Sequence, residues 1–195
     1  MEVSDEELME RCRQGDPAAL ETLLGRYQNK LMAFIYSVCR DYQISEDIFQ
    51  ETFIRVYRKA KKFNPGRTFK TWVYTIALNL CRDRIRKLRR KPTVSLNAPI
   101  GSRDGDNYPA PIDLIPSGRA DPSRQAAARE LEEAFQRELA GLSDEHRQVV
   151  VMSRLGGFKY RQIAEILKIP SGTVRSRLHY ALEYLRRRMK NDGLY

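Results

Sequence analysis

At 195 residues, with 42% hydrophobic and 31% charged residues, the chain holds enough apolar material for one domain or two small ones and is not disordered overall. A formal net charge of +10 points to a polyanionic partner, nucleic acid first and an anionic membrane surface second. The charge is uneven: residues 1–54 hold 5 Lys/Arg against 11 Asp/Glu, net −6, whereas residues 55–91 hold 14 against 1, net +13.

Helical signals dominate along the chain. Ser4 and Glu7 stand in capping-box spacing, and Gly15 is a stop. Asp16 caps a second helix with Pro17 at its first position, and Leu20, Leu23, Leu24, Tyr27, Leu31, Phe34, Ile35 and Val38 carry its apolar pattern to about Arg40. A third helix is predicted from Ser45. In "SEDIFQETFIRVYRKAKKF" the residues Ile48, Phe49, Phe53, Val56 and Ala60 form a core stripe, leaving Asp47, Gln50, Glu51, Arg55 and Arg58 largely outside it. "FNPGRTF" breaks the chain with a Pro-Gly turn. "FKTWVYTIALNLCRDRIRKLRRK" resumes a helix, with Trp72, Ile76, Ala77, Leu80 and Leu88 toward the core.

Residues 92–124 contain 6 of the 9 prolines, three glycines and no helical periodicity, which predicts a flexible linker between helical domains at 1–91 and 125–195. Beyond it Ala127, Leu131, Ala134, Phe135 and Leu139 predict one helix. Ser143 caps another, running through "DEHRQVVVMSRL" to Gly156 and Gly157. The expected fold is all-α: two small helical domains joined by a linker.

The segment "YRQIAEILKIPSGTVRSRLHYALEYLRRR" fits a helix-turn-helix, with a short helix over Tyr160 to Leu167, a turn through Lys168 to Pro170, Ser171 as N-cap and a long second helix. At about 100° per residue, Val174, Leu178, Ala181 and Leu185 share one stripe, while Ser176, His179, Tyr180 and Glu183 lie opposite with Arg175 beside them. Such a helix fits the major groove, where an arginine reaches guanine O6 and N7. The competing reading is an amphipathic helix with a solvated face; cap, turn and polar face together favour DNA.

The basic block interleaves Tyr57, Phe63, Phe69, Trp72 and Tyr74 with lysines and arginines. Cations alone suit duplex phosphates. Aromatic faces beside them suit single-stranded nucleic acid, because stacking is worth about 1–3 kcal/mol per base. The competing reading makes Phe63 and Trp72 plain core. No catalytic constellation emerges: Asp47 and Glu51 lie one turn apart beside Gln50, but no histidine or further acid completes a site, and such carboxylates meet solvent or a partner's arginines. Cys12, Cys39 and Cys81 are too widely spaced for a C-x-x-C pair and only His146 and His179 accompany them, so no metal is expected and the cysteines read as reduced, mostly buried thiols. The acidic N-terminus lacks an apolar signal region and "LMAFIYSVC" is too short to span a bilayer; a cytoplasmic protein without membrane insertion is expected.

Three motifs in order, D-x-x-Q-E-x-F from Asp47, F-x-T-W-x-Y-x-I-A-x-N from Phe69 and G-T-V-R-S-R from Gly172, make the chain resemble the extracytoplasmic-function (ECF) group of sigma-70 family RNA polymerase sigma factors over nearly its whole length. The resemblance implies contacts to core RNA polymerase from Asp47, Gln50 and Glu51, with Arg55 beside them. It implies a loop from Phe63 to Lys70, including Asn64, that holds a flipped minus-ten base with Trp72 in support, and contacts on the opened strand from Asn79, Arg82 and Arg86. Minus-thirty-five contacts are implied for Arg175, Ser176, Arg177, His179 and Tyr180. The implied partners are bacterial core RNA polymerase, promoter DNA as upstream duplex and melted minus-ten strand, and an anti-sigma protein; no cofactor is implied and catalysis belongs to the polymerase. The alternative is a free-standing helix-turn-helix regulator whose N-terminal helices dimerise or sense a ligand. A nuclease would need a carboxylate or histidine cluster that the sequence lacks.

Overall fold

The computed structural model describes residues 3–64, 66–90, 135 and 137–191, and every regular element among them is helical. The predicted linker over 92–124, its boundaries with both domains, the helix positions Ala127, Leu131 and Ala134, and Pro65 in the predicted turn lie outside the described residues. The chain divides into two compact units, Met1–Pro109 and Ala110–Tyr195.

In the first unit, α1 (Asp5–Arg13) opens with the predicted capping box: Glu7 N–H donates to Ser4 Oγ at 3.2 Å and Ser4 N–H to Glu7 Oε2 at 2.8 Å. The Ser4 N–H and then the Ser4 hydroxyl, both donating to the Glu7 carboxylate, hold that carboxyl below the usual carboxylate range. Gly15, at φ +91°, makes the left-handed reversal that a side chain would disfavour. Asp16 then caps α2 (Pro17–Cys39) by accepting the N–H of Ala18 at 2.9 Å, and Leu23, Leu31, Phe34 and Ile35 are fully buried. α2 packs against α1, α3 and α4, which makes it the centre of this unit.

α3 (Tyr42–Arg58) starts three residues earlier than predicted. Asp41, in extended conformation, accepts the Ile44 N–H at 2.8 Å and is the true N-cap, whereas Ser45 lies buried inside the helix with its hydroxyl on the Asp41 carbonyl at 2.6 Å. The predicted stripe of Ile48, Phe49, Phe53, Val56 and Ala60 is buried. A 3₁₀ turn over Ala60–Lys62 and a short loop lead into α4 (Phe69–Arg90).

α4 is rotated from its predicted phase. Its buried side is Phe69, Val73, Tyr74, Ala77, Leu78 and Cys81, together with Leu80, while Trp72 and Ile76 are half-buried and Leu88 is 52% exposed. The first turns carry apolar residues on two adjacent faces, so periodicity alone leaves the phase open, and residues 86–90 are all exposed beyond the packed part of the helix. Cys12, Cys39 and Cys81 are free; Cys12 and Cys81 are buried and Cys39 is half-buried, its thiol hydrogen-bonded to that of Cys81.

In the second unit, residues 137–141 are helical and α5 (Asp144–Arg154) follows. Ser143 occupies the predicted cap position, but its hydroxyl meets His146 Nδ1 at 2.7 Å in place of a backbone N–H. The turn is closed instead by Arg147, 4% exposed, whose Nε donates to the Leu139 carbonyl at 2.9 Å and whose Nη2 donates to that of Leu142. Its Nη1 also lies 3.2 Å from Asp144. A guanidinium there adds charge-assisted donors to carbonyls at a helix end, the Leu139 carbonyl accepting the Leu142 N–H at 3.2 Å as well. Arg147→Met removes two charge-assisted hydrogen bonds, each worth about 1.5–3 kcal/mol, and should lower stability accordingly. Thermal unfolding of the full chain measures it; an unchanged midpoint would mean that water replaces the guanidinium.

After α5 comes the expected stop, where a Cβ on Gly156 would lie 2.7 Å from both the Met152 carbonyl and the Phe158 ring, so only glycine fits. α6 (Tyr160–Leu167) ends at Lys168, in the left-handed region at φ +57°, and α7 (Ser171–Asn191) follows. Ser171 is the first residue of α7 and not its cap; the turn closes from Val174 N–H to the Pro170 carbonyl at 3.2 Å. Val174, Leu178, Ala181 and Leu185 are buried against α5 and α6.

Candidate nucleic-acid and partner interfaces

Trp72, Asn79 and Arg86, each two turns apart, share one side of α4 with Arg82 beside them. Asn79, Arg82 and Arg86 are exposed and Trp72 is half-buried. Trp72 rests on Phe63, ring centroids 5.1 Å apart, and lies 6.2 Å from Phe69, which meets Tyr27 edge-on at 5.2 Å. Phe63 is only 5% exposed. Its ring is buried against Trp72 and Phe69, so it supports Trp72 and offers no face to a base, while Trp72 keeps part of its surface open. In the loop, Asn64 Oδ1 accepts the Gly66 N–H at 2.8 Å and the Asn64 carbonyl accepts the Arg67 N–H at 3.0 Å, an Asx turn that leaves Asn64 exposed. Lys70 is not part of this group. It lies toward Lys30 and Asp5, half-buried, and its ammonium is held below the usual lysine range by burial and then by Lys30.

On α3, Asp47 and Gln50 are exposed and Glu51 and Arg55 half-buried, opposite the core stripe as expected. Arg55 Nε meets Glu51 Oε1 at 2.9 Å and Arg84 of α4 meets Asp47 at 3.7 Å, exposed pairs of small worth. A groove of about 390 Å³ between α3 and α4 is lined by Asp47, Glu51, Arg55, Arg84 and Arg86 among others. Arg86, expected on the opened strand, thus borders the residues expected on polymerase. Ile54 and Tyr57, 44% and 54% exposed, stand on the same outer face of α3; Ile54 is absent from the sequence-derived candidates and Tyr57 is expected with the basic aromatic block instead. Their signal was legible: two large apolar residues out of phase with the core stripe.

On α7, Arg175, Ser176, His179 and Tyr180 are exposed together, the His179 and Tyr180 rings 5.7 Å apart, and Glu183 lies 4.0 Å from His179 and 3.8 Å from Arg187. Arg177 is separate: its guanidinium turns back to Glu145 of α5 at 2.5 Å and is 23% exposed. Among the described residues no three His, Cys, Asp or Glu side chains are grouped to hold a metal ion, and no helix is long and apolar enough to cross a membrane.

Two helical units, one presenting a basic aromatic helix face and the other a helix-turn-helix with an exposed arginine-bearing face, define a nucleic-acid-binding protein. The family described as Sigma-70 region 2 matches residues 23–91, and that described as Sigma-70, region 4 matches residues 132–185. The ECF RNA polymerase sigma factor SigW of Bacillus subtilis is 32% identical over 98% of this chain and 100% of its own length. The ECF RNA polymerase sigma-E factor of Haemophilus influenzae is 31% identical over 97% of each chain. Among solved structures, CnrH in complex with the cytosolic domain of CnrY is similar with a TM-score of 0.64 at 20% identity, covering 97% of this chain and 99% of that one. The sigma factor RpoE in complex with the anti-sigma factor NepR from Bartonella quintana gives 0.62 at 24%, covering 87% and 96%. The chain belongs to the ECF group of the sigma-70 family of RNA polymerase sigma factors, regulatory factors of transcription initiation.

Proposed function

We propose that the chain works as a promoter-specificity subunit with its tasks divided by surface. Domain 1–91 docks on core RNA polymerase through Asp47, Gln50 and Glu51 of α3, with Ile54 and Tyr57 adding apolar area. It captures the opened minus-ten strand on the outer face of α4, through Trp72, Asn79, Arg82 and Arg86, with Asn64 in the loop above. Domain 125–195 reads the upstream duplex with Arg175, Ser176, His179 and Tyr180, while segment 92–124 sets the spacing. Arg177, committed to Glu145, braces α7 against α5 rather than touching DNA. An anti-sigma protein that covers these surfaces belongs to the same reading, by extension from the two similar complexes.

The observation that carries the reading is the shared exposed face of Trp72, Asn79, Arg82 and Arg86: a half-open indole followed by a polar and cationic track is what a single strand needs for stacking and backbone neutralisation. A free-standing regulator has no use for such a face. Arg175→Ala tests the upstream half. Binding and transcription on the matching upstream element should fall by about 1–3 kcal/mol with preference relaxed at one base pair, and Arg177→Ala should instead lower thermal stability without altering base preference. Transcription by the reconstituted polymerase over a library of upstream elements measures both; equal losses on cognate and scrambled elements would sink the assignment of Arg175.

A further inference from the structure

Helix α4 begins at a buried residue whose amide is served from outside the helix. Thr68 precedes it, but its hydroxyl is engaged with that of Thr71 at 2.8 Å, and its carbonyl accepts the Trp72 N–H at 3.2 Å. The first N–H of a helix has no intrahelical acceptor, and Phe69, which carries it, is 0% exposed, so bulk water cannot serve. The acceptor comes from 63 positions earlier: Phe69 N–H donates to Glu6 Oε1 of α1 at 2.9 Å. An ionised carboxylate there also meets the positive end of the α4 dipole.

Everything around Glu6 fixes it in place. The capping box of Ser4 and Glu7 sets the first turn of α1, and Leu8, Met9 and Cys12 bury its inner face. Asp5, next in sequence, is held separately by Arg26 at 2.8 Å and by the Tyr27 hydroxyl, whose pKa is pushed far up by burial and by this carboxylate. Tyr27 in turn packs edge-on against the Phe69 ring. The two adjacent acids thus hold both ends of one residue, Asp5 through the ring of Tyr27 and Glu6 through the amide. Phe69 is the residue on which Phe63 and Trp72 lean.

We infer that Glu6 is a positioning residue for strand opening: by holding the Phe69 amide it sets the start of α4, and with it the exposure and direction of the Trp72 indole and the Asn64 loop. The inference rests on the proposed role of the α4 face and extends it to α1, which lies outside the residues 23–91 matched by the region 2 family. Glu6 touches neither DNA nor polymerase in this account; it acts through Phe69.

The chain has a single tryptophan, so its intrinsic fluorescence reports this junction alone. The experiment compares the full-length parent with Glu6→Ala and Glu6→Gln, the latter retaining an oxygen acceptor without the charge. Acrylamide quenching of Trp72 is measured on the free protein, and promoter opening with core polymerase on duplex and on pre-melted templates. Glu6→Ala should make Trp72 more accessible to quencher and slow duplex opening roughly three- to thirtyfold, the range of a lost helix cap, while the pre-melted template recovers most of the rate. Glu6→Gln should restore both readouts to within about twofold of the parent if the hydrogen bond is what matters. Parent-like quenching and opening in Glu6→Ala would overturn the inference. So would a Glu6→Ala defect equal on both templates and accompanied by lost helicity, which marks general unfolding. The underlying reading fails separately: if Trp72→Ala opens the duplex at the parent rate, the strand does not use α4, whereas a slow Trp72→Ala beside a normal Glu6→Ala refutes positioning by Glu6 alone.

Discussion

Replacing Trp72 by alanine should slow opening of a duplex promoter by core polymerase roughly 5- to 150-fold, the kinetic equivalent of one lost base-aromatic stack at about 1–3 kcal/mol. A template with the minus-ten segment already unpaired should recover much of this loss, because the cost of opening has been supplied in advance. Trp72→Phe keeps a ring over Phe63 and should retain most of the activity. The Arg82→Ala, Arg86→Ala pair should behave differently: its phosphate contacts are missing on either template, so rescue is poor, and the residual activity should depend less on salt than the parent's because fewer counterions are released. Permanganate reactivity of promoter thymines and transcript yield on both templates give the comparison. Identical defects for Trp72→Ala on duplex and bubble would reduce the indole to core packing. Phe63 is not a usable probe, since its ring is buried against Phe69 and Trp72 and removing it empties part of the core, at a cost of about 3–5 kcal/mol in stability.

Reversing both acids on the outer face of α3, Asp47→Lys with Glu51→Lys, should abolish binding to core polymerase. Like-charge juxtaposition at a basic partner costs several kcal/mol, which is on the order of a hundred- to a thousandfold in affinity. The fold should survive, because the partners these acids lose, Arg84 at 3.7 Å and Arg55 at 2.9 Å, form exposed pairs, and such pairs contribute about 0–1 kcal/mol. Circular dichroism checks the helicity and a fluorescence titration against core enzyme checks the affinity. Ile54→Asp should weaken binding by a different route, removing apolar contact area without touching the groove. Unchanged affinity in the double reversal, with normal helicity, would remove α3 from the docking surface. Because Arg86 lines the same groove as Asp47 and Glu51, a partner seated there would also screen one end of the proposed strand-binding track. Polymerase docking and strand capture are therefore expected to couple, so the double reversal should alter opening on templates where residual polymerase is driven on by concentration.

Much of this protein was determined locally and is legible in one dimension. The Ser4 and Glu7 box, the Asp16-Pro17 start, the stripe Ile48, Phe49, Phe53 and Val56, and the register Val174, Leu178, Ala181 and Leu185 all match the structure. Caps act over two or three residues and helical faces repeat every turn, so their causes lie within a few positions of their effects. The same periodicity separates the exposed Arg175, Ser176, His179 and Tyr180 from the packed side of α7. What the tertiary structure decided involves residues brought together from afar. Phe63 is buried against Phe69 and Trp72, while Trp72 stays half-buried, a choice made by packing. Arg177 meets Glu145 on another helix, and Lys70 is half-buried with Lys30 and Asp5 acting on its charge, placements that no periodicity announces. Arg147 and Glu6 carry no local signal of their roles, yet each donates to or accepts from the end of a helix other than its own. Pattern records which side of a helix is apolar; only packing chooses which neighbour covers it and which charge closes the gap that remains.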